Sequence, residues 1–352
     1  MNPYKNLPDK YYWRTAVANK HFFDIDGIWN PKFKIEQKDI IVTFGSCFAQ
    51  HIGRALEKKE FSWKSFERPP YGMTSNSQKS FNYDVFSART GNIYTTSLLN
   101  QWTEWSLGQK PLPTLTWQQQ ERHYDPFRPV VENSGFADQI ELYASRKTTI
   151  SAFSNCITQA DYFVFTLGLT ESWFDRDSGL EYPMCPGTAA GTFNKDKHMF
   201  ENQNFEKVKK ILVNAISLMR EANHRIKFIL TVSPVPLTAT NSGEHVLVAT
   251  MKSKSILRAV AAQLTEEYDF VDYFPSYEII NSPVFRGAFF EPNLRSVNHI
   301  GVDFVMDTFF SGLTEKFGSY IHLKHNLLSD EKAEDDLLCE EELLDNAGTN
   351  QK

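Results

Sequence analysis

The sequence predicts a doubly wound α/β domain with a mostly parallel sheet, and three observations carry the prediction. Near-continuous apolar runs at 39–44, 161–168 and 226–234 suit strands buried on both faces of a parallel sheet. Segments of helical period stand between such runs, which is the alternation of an α/β fold. The first run ends in Gly45, and Phe48, Ile52, Ala55 and Leu56 then recur at helical spacing, so a strand passes through a tight turn into a helix.

Taken in order, residues 1–38 carry aromatic and charged side chains without a sustained period and read as an N-terminal arm laid over the body. One domain, 39–328, follows. Its strand at 39–44 is β-branched and aromatic. Residues 62–146 break the alternation with Pro69-Pro70-Tyr71-Gly72 and scattered Trp and Tyr, and read as a long insertion beside the sheet, helical near Ser97 to Trp105. The pattern resumes at 161–168. Phe205, Val208, Ile211, Leu212, Ala215, Ile216 and Met219 mark a covering helix before the run at 226–234. A helix over 246–264, a short strand at 270–274 and a helix over 300–314 complete the domain. Residues 329–352 read as an acidic, disordered tail in which nine Asp and Glu stand against one Lys between 330 and 345.

That tail accounts for more than the whole formal charge of -6, which leaves the body near neutral. A near-neutral body without a Lys/Arg stripe lacks the footprint of a phosphate-backbone binder, so a nucleic-acid partner is excluded. Residues 1–8 show no apolar leader core, and no stretch approaches the roughly 18 apolar residues of a membrane span. Cys47, Cys156, Cys185 and Cys339 are far apart and form no CxxC, so neither a disulfide framework nor a metal site is expected. The expected setting is cytoplasmic. One glycine after the first strand, in place of G-x-G-x-x-G, speaks against dinucleotide binding.

Ligands of open α/β sheets bind beyond the carboxyl ends of the strands. Four segments lie there: 45–49, 168–171, 233–236 and 293–299. Ser46 and Cys47 stand where unpaired amides and the positive end of a helix dipole favour an anion, an environment that lowers a thiol pKa. The same positions also suit an N-cap serine and a small buried hydrophobe.

Gly45-Ser46-Cys47-Phe48-Ala49 is the signature of the GSCFA family, and the resemblance extends through Thr166-Leu167-Gly168, Thr231-Val232-Ser233-Pro234-Val235, Ser253-Lys254 and residues 273–279, from about Pro3 to about Phe310. That family resembles the SGNH hydrolases, so the resemblance implies a flavodoxin-like fold. It also implies acyl-ester chemistry, as an O-acyltransferase or esterase, on a carbohydrate or glycan substrate in surface-polysaccharide biosynthesis. No cofactor is required, with acyl-CoA as donor if the protein is a transferase. An ungapped match to Gly-Asp-Ser places Cys47 on the nucleophile, and a one-residue shift places Ser46 there. The oxyanion segment Gly-x-Asn-Asp of the SGNH hydrolases falls on Gly168, Leu169, Thr170 and Glu171, with Gly45 at the turn and Thr170 in place of the Asn. The dyad Asp-x-x-His has no clean counterpart. His299 on the His puts Ser296 on the Asp, whereas the alternative register puts Asn293 on the Asp and Ser296 on the His. His51, one turn after Cys47, and His245 are the other candidate bases. A carbohydrate- or CoA-binding module that kept the fold and lost the dyad is the rival reading.

Overall fold

The computed structural model describes residues 2–318 and 343–344. The acidic tail expected at 329–352 otherwise lies outside the described residues. In chain order the elements are β1 (Ile41–Gly45), α1 (Ala49–Lys58), α2 (Ser75–Ser80), α3 (Thr96–Ser106), β2 (Trp117–Gln119), β3 (Arg122–Tyr124), α4 (Gln139–Gln159), β4 (Tyr162–Leu167) and β5 (Glu171–Asp175). They continue with β6 (Glu181–Tyr182), β7 (His198–Asn202), α5 (Phe205–Ala222), β8 (Lys227–Val232), α6 (Val246–Glu267), β9 (Val271–Tyr273), α7 (Ser276–Asn281) and α8 (His299–Phe317).

The three apolar runs and the short strand expected at 270–274 form one wholly parallel sheet in the order β1-β4-β8-β9. Successive side chains of a strand point to opposite faces, and here both faces are covered. Val42, Phe44, Phe163, Phe165, Phe228 and Leu230 enter the core beneath α3, α4, α5 and α6. Ile41, Tyr162, Val164 and Ile229 enter the core beneath α1, α7 and α8. Trp29, Phe33 and Ile35 of the N-terminal segment complete the second core, and the Trp29 ring stacks on Phe309 with centroids 4.8 Å apart. On the outer side of β1, Ile41 N donates to Ser62 O and Lys64 N to Ile41 O, each at 3.0 Å, forming a single parallel bridge with Trp63. Counting this reduced strand, the order is second, first, third, fourth, fifth, which is the flavodoxin-like arrangement.

The segment after that bridge is fastened by buried charge. Asp125 receives Arg128 Nε at 2.9 Å and Arg146 Nη2 at 2.8 Å, and its Oδ1 also accepts the Phe127 amide at 3.0 Å. Burial alone would raise the Asp125 pKa, but the adjacent Arg146 and Arg128 charges and their hydrogen bonds reverse this and hold it below the usual carboxylate value. Arg146 sits on α4, so the cluster ties the loop after β3 to a helix that covers the sheet. Removing one partner strands two buried guanidinium groups. Asp125→Ala is therefore expected to cost about 3–5 kcal/mol of stability. Denaturant unfolding followed by circular dichroism measures it, and a loss below about 1 kcal/mol would contradict this account.

Candidate active site

β1 ends at Gly45 with φ +130°, and a Cβ there would lie 2.3 Å from the Thr166 carbonyl oxygen. No side chain fits in that space, so glycine is required if β1 and β4 are to leave the sheet in contact. Ser46 N then donates to Thr166 O at 3.1 Å, and the amides of Ala49, Gln50 and His51 return to the carbonyls of Ser46, Cys47 and Phe48. The chain thus coils through a tight turn into α1, with Ser46 and Cys47 in the turn itself, ahead of the first α-helical residue. Both are buried, at 2% and 3% exposure.

The end of β4 meets this turn. A Cβ on Gly168 would stand 3.2 Å from Ser46 Cβ and 3.0 Å from Tyr94 O. The structure therefore brings Gly45, Ser46, Cys47 and Gly168 together at the carboxyl edge of the sheet. Tyr94, one residue before the Thr95 N-cap of α3, closes the group. Its carbonyl accepts the amides of Gly168 and Leu169, at 3.0 and 2.9 Å. Ser46 Oγ is buried and has no hydrogen-bond partner among the described residues.

The donors of Gly168 and Thr170, expected to serve an oxyanion, are engaged within the protein. The Gly168 amide is spent on Tyr94. Thr170 is wholly buried, its hydroxyl donates to Asn202 Oδ1 at 2.7 Å, and its amide donates to Ser253 Oγ at 3.1 Å. These bonds hold the loop after β4 in place. Glu171 receives the Thr240 hydroxyl and the Asn241 amide, and burial raises its pKa. It joins the loop before α6 to the same edge. From α6, Lys254 Nζ donates to Gly168 O at 2.8 Å.

The three histidines have different fates. His51 is buried on the first turn of α1, its ring edge-on to Phe48. His245 is exposed and caps α6, its Nδ1 accepting the Leu247 amide at 3.2 Å. His299 opens α8 in solvent. Neither exposed histidine bonds to Ser46 or Cys47. Asn293 and Ser296 instead pair with each other, Asn293 Nδ2 donating to Ser296 Oγ at 3.0 Å. Asn293 Oδ1 also accepts the amides of Arg295 and Ser296, each at 2.9 Å, so the contact closes a local turn ahead of α8.

A buried polar network, missed from sequence because its members are neutral or distant, backs the loop. Gln203 Nε2 donates to Ser97 and Ser172, at 2.5 and 2.6 Å, and its amide donates to Thr170 O. Beside it, the fully buried Glu181 takes the Thr95 hydroxyl at 2.5 Å, and burial pushes its pKa up to about 7 against the opposing hydroxyls of Ser97, Thr95 and Ser172.

The geometry defines a class: a flavodoxin-like α/β protein with a serine-cysteine turn at the carboxyl edge of its first strand. The sequence model of the GSCFA family matches residues 40–309, and the chain belongs to that family. No curated protein and no solved structure matches it.

Glu181 makes stability depend on pH. A carboxyl that resists ionisation only when folded holds a proton that the unfolded chain releases above its ordinary pKa, so stability falls as pH rises from about 4.5 to about 7. Glu181→Gln should remove that fall, giving a variant about 3 kcal/mol more stable than the parent at pH 8 and close to it at pH 4.5. Denaturation midpoints at the two pH values test this. Parallel profiles for the two proteins would refute it.

Proposed function

We propose that this chain performs acyl-ester chemistry on a carbohydrate, as an O-acyltransferase or an esterase, with Cys47 as the nucleophile. The observation that carries the reading is Ser46 Oγ, buried without a partner against Gly168 where two parallel strands end. An orphaned buried hydroxyl costs about 1–3 kcal/mol, and a ligand oxygen placed there would complete its bonding. The same observation argues against Ser46 as nucleophile, since a hydroxyl needs a base within hydrogen-bond reach and this one has none. A thiol at the start of a helix ionises in part without one.

In the first step the Cys47 thiolate attacks the carbonyl carbon of an ester or thioester, and the carbonyl electron pair moves onto oxygen, where the Ser46 hydroxyl donates to it. Collapse expels the donor's alkoxide or thiolate, which takes a proton from solvent, and leaves an acyl thioester on Cys47. A sugar hydroxyl or water then attacks that thioester, loses its proton to solvent and releases the thiolate. Acyl-CoA suits the donor role, and no further cofactor is needed. The carbohydrate acceptor and the link to surface-polysaccharide biosynthesis come from the family's kinship alone. No helix among the described residues is long and apolar enough to cross a membrane. We place the protein in the cytoplasm, in keeping with Cys47, Cys156 and Cys185 standing outside any disulfide.

The Asn293–Ser296 pair favours a second reading, a carbohydrate- or CoA-binding module, because neither side chain can serve as a base.

Turnover of p-nitrophenyl acetate and of acyl-CoA separates the two. Cys47→Ala should lower turnover by about 10³-fold or more, and Ser46→Ala by about 10²-fold as an oxyanion donor. Iodoacetamide should label Cys47 ahead of Cys156, whose thiol burial pushes well up, and Cys185, whose thiol burial pushes up to about 11. Full turnover in Cys47→Ala defeats the proposal. Binding of glycan or CoA without any turnover establishes the second reading.

A further inference from the structure

Lys254 is among the largest fully buried side chains of the described residues, 1% exposed on a helix whose other inward residues, Ser253 apart, are apolar. An ammonium in such a place costs several kcal/mol of desolvation. Its neighbour Ser253 already secures the loop after β4 by accepting the Thr170 amide, so the loop does not depend on a charge for its anchorage. Lys254 Nζ lies 2.8 Å from the carbonyl oxygen of Gly168, the residue that abuts Ser46. A carbonyl needs a donor. What an ammonium adds is a fixed positive charge, one residue removed from the Ser46-Cys47 turn. Of the three histidines that could have supplied one, His245 and His299 stand in solvent.

We infer that Lys254 is a positioning residue of the acyl-transfer site: it holds Gly168 against Ser46 and supplies the positive charge that favours the Cys47 thiolate. The inference rests on Cys47 being the nucleophile. It assigns to α6 the electrostatic work that an Asp-His dyad performs in the related hydrolases, while His51 stays packed on Phe48.

The test is the rate at which iodoacetamide alkylates Cys47 in the full chain at pH 7, read by peptide mass spectrometry, with Cys47→Ala as the blank. Lys254→Gln keeps a donor for the Gly168 carbonyl and removes the charge, and Lys254→Met removes both. Loss of an adjacent positive charge raises a thiol pKa by about 1 unit or more, so Lys254→Gln should label about tenfold more slowly than the parent, and Lys254→Met at least as slowly. A residue that served only as a strut would have the opposite signature, because loosening the loop exposes a thiol that is now 3% accessible and speeds its labelling. Labelling of Lys254→Gln at or above the parental rate overturns the inference, and if Lys254→Met fails to fold, Lys254→Gln alone decides. Since labelling requires no turnover, this outcome is independent of the Cys47→Ala activity measurement that judges the nucleophile itself.

Discussion

The close approach of two strand ends governs the arrangement of everything around them. Gly45 leaves no room for a side chain against the Thr166 carbonyl, and Gly168 brings β4 up to the Ser46 Cβ. Strands in a sheet stand about 4.8 Å apart, and the usual side chains at their ends would splay the loops that follow. With glycine at both places the loops stay in contact beyond the last ladder bond. The turn into α1, the Tyr94 carbonyl and the α6 lysine then converge on one small volume. Any larger residue at 45 would move the turn and, with it, the orientation of the Ser46 hydroxyl.

Around this contact the molecule uses two kinds of fastening. The two faces of the sheet are sealed by apolar packing in the ordinary way, with Phe44, Phe163 and Phe165 on one side and Val164 and Ile229 on the other. The long segment between the reduced strand and α4 is fastened by ions and amides: Asp125 with its two arginines, and Arg89 reaching Glu132 at 3.0 Å. Such bonds are directional, which suits a segment that must deliver the Tyr94 carbonyl to a fixed place. The Gln203 network performs the same service for the loop after β4.

Much of this was legible in the chain. The four sheet strands, α5 and α8 show up because their inward positions are almost all apolar, and α6 shows up through Leu257, Val260, Ala261 and Leu264 although it also buries Ser253 and Lys254. The helix α4 does not, because its buried stripe includes Arg146 and Thr149, which satisfy each other's neighbours and look like surface residues in a list. The small sheet of β5, β6 and β7 leaves no signal, since strands of two to five residues with mixed polarity have no period to detect. At the site, Ser46, Cys47 and Gly168 were legible because they directly follow apolar strands and fall in the family's motifs. The partners that spend the donors of Gly168 and Thr170 were not: Tyr94, Asn202 and Ser253 are remote in sequence, and a backbone carbonyl carries no residue signature at all.

The reduced strand at Trp63 bears on how the protein meets its own copies. A parallel sheet with an open border presents a row of unpaired amides and carbonyls to which another chain can add a strand. Here the border at β1 is taken up by the Trp63 bridge and, further along, by Ser87, whose hydroxyl accepts the Thr43 amide and whose own amide donates to the Thr43 carbonyl. The opposite border, β9, is three residues long and carries Asp272, which accepts the Lys32 amide of the N-terminal segment at 2.8 Å. The β1 border is therefore occupied by the chain's own remote segments, and growth by sheet extension there would first have to strip them away, while β9 offers an edge of only three residues.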